Sequence, residues 1–282
     1  MTVRAPAVPV LTAEELRRFC DFLYARTGMQ FGETKRYYIE RRLHDRLAAT
    51  RSASFADYLL RLRADDAETR AVISSFTVNE TYFYREEHQL RCLSSSLLPE
   101  IVRTRGAGDR IRIWSQPCST GEEAYSIALW LLENWPLVDA YNVEIVGSDI
   151  DGDALTAAKE AIYGERSLSR LPETVANAYF EPSNRGRRRL IQDLRESVTF
   201  RPANLVDRGS MKDQGFFDVI FCRNVLIYFD EDSRARAAGH LFDNLAPGGF
   251  ICLGHTESMS RITDRFTVRR FPDAIVYQRP SA

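Results

Sequence analysis

Three stretches of the chain bring together side chains able to bind a ligand or act on one. Ser119-Thr120-Gly121-Glu122-Glu123 follows an apolar run, IRIWS (111–115), and leads into an apolar helix over 124–135. Asp149 closes a second apolar run, VEIVGS (143–148). FDVIFCRNVLIYF (217–229) puts Arg223 and Asn224 at a strand end, with Tyr228 just beyond. Small residues let backbone amides approach a ligand closely. Two acids at a helix start repel a pyrophosphate, and G-x-G-x-x-G is absent, which argues against a nicotinamide dinucleotide. An acid there suits an ammonium group instead. An acid at the end of the second strand of an open α/β sheet suits ribose hydroxyls. A nucleoside joined to an amino acid meets both demands, and S-adenosylmethionine is one. Each residue also has a plainer reading. Glu122 and Asp149 could cap helices, Arg223 could pair with a surface carboxylate, and Tyr228 could be a packing aromatic.

The surrounding pattern shows the scaffold that holds these residues. Strands alternate with helices from Ile111 onward, with further strands at 198–201, 218–222 and 250–253 and two more within 266–278. That alternation predicts a parallel α/β sheet with crossover helices. Residues 164–199 interrupt it with Pro172, Pro182, Gly186 and the basic run 185–189, and read as an inserted subdomain. Upstream the texture is helical. Thr12 and Glu15 form a capping-box pattern, and Ile39, Leu43 and Leu47 recur every four residues. The expected organisation is a helical domain over 11–88, a linker helix over 89–105, and a catalytic domain over 106–282 carrying the insert.

The 282 residues carry a net charge of −1, which disfavours nucleic acid as a partner. No stretch is long and apolar enough to cross a membrane. Five scattered cysteines without a C-x-x-C indicate neither zinc nor a disulfide framework, and a cytoplasmic location is expected. Charge is locally uneven. Residues 35–51 hold six cations against Glu40 and Asp45. On one helix, Lys35, Arg42 and Arg46 fall within about 40° of one another, a solvated basic face or a docking face for an acidic partner.

Five motifs occur in order: TVNETYFYRE (77–86), IWSQPCSTGEEAYSIAL (113–129), GSDID (147–151), FDVIFCRNVLIYFD (217–230) and PGGFICLGHTES (247–258). With them, residues 12–278 resemble CheR, the chemotaxis receptor glutamate O-methyltransferases. The resemblance implies a class I S-adenosylmethionine-dependent methyltransferase sheet, doubly wound and Rossmann-like, with an N-terminal helical bundle and a small inserted β-subdomain. It also implies roles. Asn79, Thr81 and Arg85 would contact the cofactor, Glu122 its ammonium and Asp149 its ribose. Asn204 and Leu205 would flank the adenine. Arg223, Asn224 and Tyr228 would line the methyl-transfer end, with Arg85, Arg223 and Tyr228 acting on the reacting carboxylate. Two departures stand out. Gln116-Pro117 replaces small residues, and Ala124 stands where the family usually has proline.

The implied reaction gives glutamyl methyl esters on the cytoplasmic methylation helices of chemoreceptors, leaving S-adenosylhomocysteine and using no metal. A glutamate is already ionised at pH 7, so no general base is required, and His44, His88, His240 and His255 are expected to be structural. Lys35, Arg42 and Arg46 become the docking face. The insert is a few residues short over 179–205, so no tether to a receptor's C-terminal peptide is expected, and a monomer is expected. The competing readings are the same chemistry on another acidic chemosensory-like protein, or a non-catalytic adapter that binds the cofactor.

Overall fold

The computed structural model describes residues 11–32 and 35–281, and the chain divides into two compact units, before and after the Val78–Asn79 junction. The first unit holds α1 (Ala13–Thr27), α2 (Arg36–Thr50), α3 (Phe55–Ala64) and α4 (Asp66–Phe76). Thr12 and Glu15 form the capping box at the head of α1. The stripe Ile39, Leu43 and Leu47 is buried with Phe19, Leu23, Tyr58, Leu62 and Phe76.

The second unit opens with α5 (Glu87–Cys92), a π-helical turn (Leu93–Leu97) and α6 (Leu98–Val102). These replace the single linker helix expected over 89–105. They belong to the second unit because Leu90, Leu93, Leu97, Leu98 and Ile101 bury themselves in its core. The first compact unit therefore stops at Val78, ahead of the boundary expected at 88.

The alternation continues as β1 (Arg110–Ser115), α7 (Glu122–Asn134), β2 (Asn142–Asp149) and α8 (Gly152–Glu160). The insert is β3 (Ile162–Tyr163), α9 (Glu165–Leu168), α10 (Glu173–Tyr179), β4 (Phe180–Pro182), β5 (Arg188–Leu190) and α11 (Gln192–Ser197). Then come β6 (Val198–Pro202), α12 (Arg208–Lys212), β7 (Phe217–Cys222), α13 (Glu231–Asn244), β8 (Leu245–Leu253), β9 (Thr267–Arg270) and β10 (Ile275–Gln278). The main sheet runs β6-β2-β1-β7-β8-β10-β9, parallel from β6 to β8 and antiparallel across β8-β10-β9. The insert forms its own antiparallel sheet, β3-β5-β4.

Strand order reverses at β1, which has β2 on one side and β7 on the other. A switch point of this kind opens a crevice beyond the carboxyl ends of the strands. The crevice is thus built from the exits of β1, β2, β6 and β7. Pro247-Gly248-Gly249 lies inside β8, which begins ahead of the strand expected at 250–253, at a register irregularity opposite Phe217–Val219. Gly249 allows this, since a Cβ there would lie 2.9 Å from both the Ala246 and Asp218 carbonyl oxygens.

Candidate active site

Asp149 ends β2 at 4% exposure, and its carboxylate accepts the Ser119 N–H on Oδ2 (2.8 Å) and the Asp151 N–H on Oδ1 (2.9 Å). Burial pushes its pKa up to about 6 against those two amides, which pull it down. Glu122 opens α7 at 2% exposure and accepts the hydroxyls of Thr120 (2.6 Å) and Ser167 (3.0 Å). Burial raises its pKa as well. Neither carboxylate has a cation within ion-pair distance among the described residues. Buried acids held only by neutral donors keep acceptor capacity for a ligand.

The neighbouring acid does something else. One residue further along α7 is a turn of about 100°. Glu123 therefore points away from Glu122, accepts the Ser115 hydroxyl at 2.7 Å and lies 2.8 Å from Arg223 Nε. That contact is an ion pair without hydrogen-bond alignment. Burial raises the Glu123 pKa and Arg223 opposes it. Arg223 is itself buried and donates through Nη2 to the Arg85 carbonyl at 2.8 Å. Its charge is balanced inside the protein by Glu123.

Arg85 sits on the segment Asn79–Glu86, which is fastened by Phe83 N–H to the Ser167 carbonyl (2.9 Å) and Tyr84 N–H to the Ser126 hydroxyl (3.0 Å). Its guanidinium donates to the Glu80 carbonyl and lies over the Tyr82 ring at 5.7 Å. Asn79 bridges the exits of β1 and β2, donating to Asp151 (2.7 Å) and accepting from the Ser119 hydroxyl (2.9 Å). Thr81 is half-buried on the same segment. At the β6 exit, Asn204 accepts the Val206 N–H (3.1 Å), and buried Leu205 presents its carbonyl to His240 Nδ1 (2.8 Å). Past β7, Asn224 takes φ +58° and Tyr228 is half-buried on the 3-10 turn Leu226–Tyr228.

The structure thus gathers Asn79, Thr81, Arg85, Glu122, Asp149, Asn204, Leu205, Arg223, Asn224 and Tyr228 on one unit. It does not gather the basic face. Arg46 donates twice to buried Glu68, at 2.9 and 2.5 Å, and Tyr58 donates to the same carboxylate at 2.7 Å. Arg42 donates to the Ser75 carbonyl and lies 3.7 Å from the Tyr38 ring centroid. Both arginines serve the helical core, whereas Lys35 is exposed at the start of α2. The residues that sequence reasoning missed are Glu123, Ser167 and Gln116. Glu123 left a signal as the second of two acids at a helix start, and Gln116 as a departure from the small residues usual there.

An adenosyl-amino acid fits this crevice on the structure's own terms. Gln116 is 2% exposed, and its Nε2 lies 3.4 Å from the Ala203 carbonyl, just before Asn204. Its Oε1 is buried with no partner among the described residues. A buried acceptor left unpaired costs about 1–3 kcal/mol, which a ligand N–H or O–H would relieve. Among the described residues, no group of three or more His, Cys, Asp and Glu could hold a metal. None of their helices is long and apolar enough to cross a membrane.

An open, mostly parallel sheet with carboxylates at its switch point, where a dinucleotide fold would place phosphate-binding amides, defines a class I S-adenosylmethionine-dependent methyltransferase. Two family models match, the CheR methyltransferase all-alpha domain over residues 14–77 and the CheR methyltransferase SAM binding domain over 79–275. The chain belongs to the CheR methyltransferase family. It is 46% identical over 273 residues to chemotaxis protein methyltransferase 2 of Vibrio cholerae, covering 96% of this chain and 94% of that protein. The chemotaxis protein methyltransferase of Vibrio parahaemolyticus is 33% identical, covering 95% and 98%. Chemotaxis protein methyltransferase 2 of Pseudomonas aeruginosa is 35% identical over 250 residues, covering 88% and 87%. The chain is therefore an S-adenosylmethionine-dependent methyltransferase of chemotaxis.

Proposed function

We propose that the enzyme methylates glutamate side chains on the cytoplasmic methylation helices of chemoreceptors, forming glutamyl methyl esters. The observation that carries this reading is the charge balance at the crevice. Arg223 is neutralised by Glu123. Arg85, joined to Arg223 through its own carbonyl, has no carboxylate partner among the described residues. A guanidinium with no carboxylate within ion-pair distance, in a partly buried site, favours an anionic substrate group.

The residues divide the work. Asp149 holds the ribose hydroxyls, Glu122 the ammonium, and Asn204 and Leu205 the adenine, with Asn79, Thr81 and Asn224 completing the cofactor's surroundings. The chemistry supplied by bound S-adenosylmethionine is an electrophilic methyl group on a sulfonium. The substrate glutamate is ionised at pH 7, so no protein group has to take a proton. Arg85 steers the carboxylate. Tyr228 sets its angle with a single hydrogen bond. Two free guanidinium groups would clamp and quench the nucleophile, and the commitment of Arg223 to Glu123 avoids that. What remains is positioning for in-line attack and exclusion of water.

On the helical unit, Lys35 is the docking residue that this reading retains. The short insert argues against a receptor-peptide tether, which micromolar binding of a C-terminal receptor peptide in calorimetry would refute. A monomer acting in the cytoplasm, without nucleic acid, completes the proposal. The test is transfer of labelled methyl from S-adenosylmethionine to a receptor cytoplasmic fragment, then treatment with mild alkali. Volatile, base-released label is expected. Label that resists alkali would sink the carboxylate chemistry, and transfer to other acidic proteins alone would sink the receptor assignment.

A further inference from the structure

The turn leaving β8 carries a carboxylate with a dense set of partners. Glu257 accepts four main-chain N–H groups. Gly254 and Asn224 donate to Oε2 at 2.9 and 2.8 Å, and Val225 and Leu226 donate to Oε1 at 2.9 and 2.7 Å. Three of these donors are consecutive residues of the β7 exit. A concave run of amides around an anion is a nest, and here the anion is the protein's own side chain. Asn224 sits at φ +58°, in the left-handed region that asparagine adopts more readily than other residues with a side chain. Gly254 fits closely against the nest. A Cβ there would lie 2.8 Å from both Glu257 Oε2 and Asn224 Nδ2 and 3.0 Å from Asn224 N. The clamped segment joins buried Arg223 to the 3-10 turn that ends in Tyr228.

We propose that Glu257 is a positioning residue of methyl transfer. Its carboxylate fixes the β7-exit backbone so that Tyr228 is presented to the reacting carboxylate at one angle. Glu257 acts through that backbone, without itself touching substrate or cofactor. The inference rests on the role given above to Tyr228.

Two substitutions separate charge from volume. Glutamine is isosteric, but either orientation of its amide turns an NH2 toward two N–H donors. Aspartate keeps the carboxylate and falls one methylene short. If Glu257 merely fills space, Glu257→Gln is harmless and Glu257→Asp is the worse variant. The clamp demands the reverse order. For Glu257→Gln, kcat at saturating cofactor is expected to fall at least about 30-fold, and for Glu257→Asp about fivefold. The S-adenosylhomocysteine Kd of each is expected to change by less than about threefold, well short of the kcat loss, because Asp149 and Glu122 keep their hold on ribose and ammonium and only Asn224 at the edge of the cofactor site is loosened. Amide exchange at Asn224, Val225 and Leu226 should quicken in the same order, a readout independent of turnover. Gly254→Ala, which crowds the same oxygen, should reproduce the kcat loss and serves if Glu257→Gln does not fold. A glutamine variant as active as the aspartate one, unchanged exchange at the three amides, or a parallel loss of cofactor affinity would each overturn the clamp. A wild-type enzyme that yields no base-labile methyl would defeat the carboxylate reading instead, and the exchange data would still decide the clamp.

Discussion

Glu68 in the helical unit and Asp149 in the α/β unit are buried almost equally, at 6% and 4% exposure, yet their surroundings are opposite. Glu68 meets both nitrogens of the Arg46 fork and the Tyr58 hydroxyl. Asp149 meets two backbone amides and no cation. A carboxylate whose counter-ion is built into the fold is part of the scaffold. A carboxylate desolvated without one is held at a disadvantage that a ligand's donors can relieve. Glu122 and Glu123 repeat the contrast within one helix turn, since Glu123 has Arg223 and Glu122 has only hydroxyls.

Substitution of either acid puts this contrast at risk. The largest expected effect is on Asp149. Asp149→Ala should weaken S-adenosylhomocysteine binding at least about 100-fold, as removal of two charge-assisted hydrogen bonds implies. Calorimetry on the folded variant checks this, and a Kd within about tenfold of wild type would remove Asp149 from the cofactor site. Glu68→Ala should do the opposite. Stability should fall by about 2–3 kcal/mol, at or below the low end for a broken buried pair because Arg46 is partly exposed and rehydrates. Its S-adenosylhomocysteine Kd should stay within about twofold of wild type. Denaturant unfolding and calorimetry together decide this, and a loss of affinity without a loss of stability would erase the distinction.

A smaller effect concerns pH. Binding through ribose hydroxyls needs the ionised form of Asp149, whose pKa is pushed up to about 6. S-adenosylhomocysteine affinity should therefore rise about tenfold from pH 5 to pH 7. A flat profile would mean that Asp149 is not a ligand or is not desolvated. The smallest effect is on the unliganded fold. An aspartate in water titrates at 3.8, and Asp149 in the fold at about 6. The neutral acid's share of stability is thus intact below about pH 3.8, declines between the two values and is gone above about 6. Asp149→Asn should raise unliganded stability at pH 7.5 by about 1 kcal/mol, less than the shift alone implies, because its NH2 must face one of two N–H donors. Thermal unfolding at pH 4 and pH 7.5 tests the sign, since the gain should vanish at the lower pH.

Much of this architecture was legible in the sequence because local rules carried it. Alternating apolar runs and helical stripes gave the α/β half and the bundle. The acids at strand ends were readable because an open sheet places its chemistry there. The expected boundary at 88 missed because local helical texture says nothing about which core a helix joins. Leu90, Leu93 and Leu97 bury in the second unit, while the first closes at Val78. The basic face missed for a related reason. Helical angles place Lys35, Arg42 and Arg46 together, but they do not show that Glu68 and the Ser75 carbonyl lie within reach of the last two.

Local sequence dictates which residue types stand at the strand ends, because apolar periodicity marks where each strand stops and which side chains come next. Folding in three dimensions settles which of those charges are spent. Arg223 and Arg46 are neutralised by partners distant in sequence, and Glu257 reaches back about thirty residues to the β7 exit. Spacing along the chain predicts partners within a helix turn, such as Thr12 and Glu15, but partners far apart in sequence are set by distance in space.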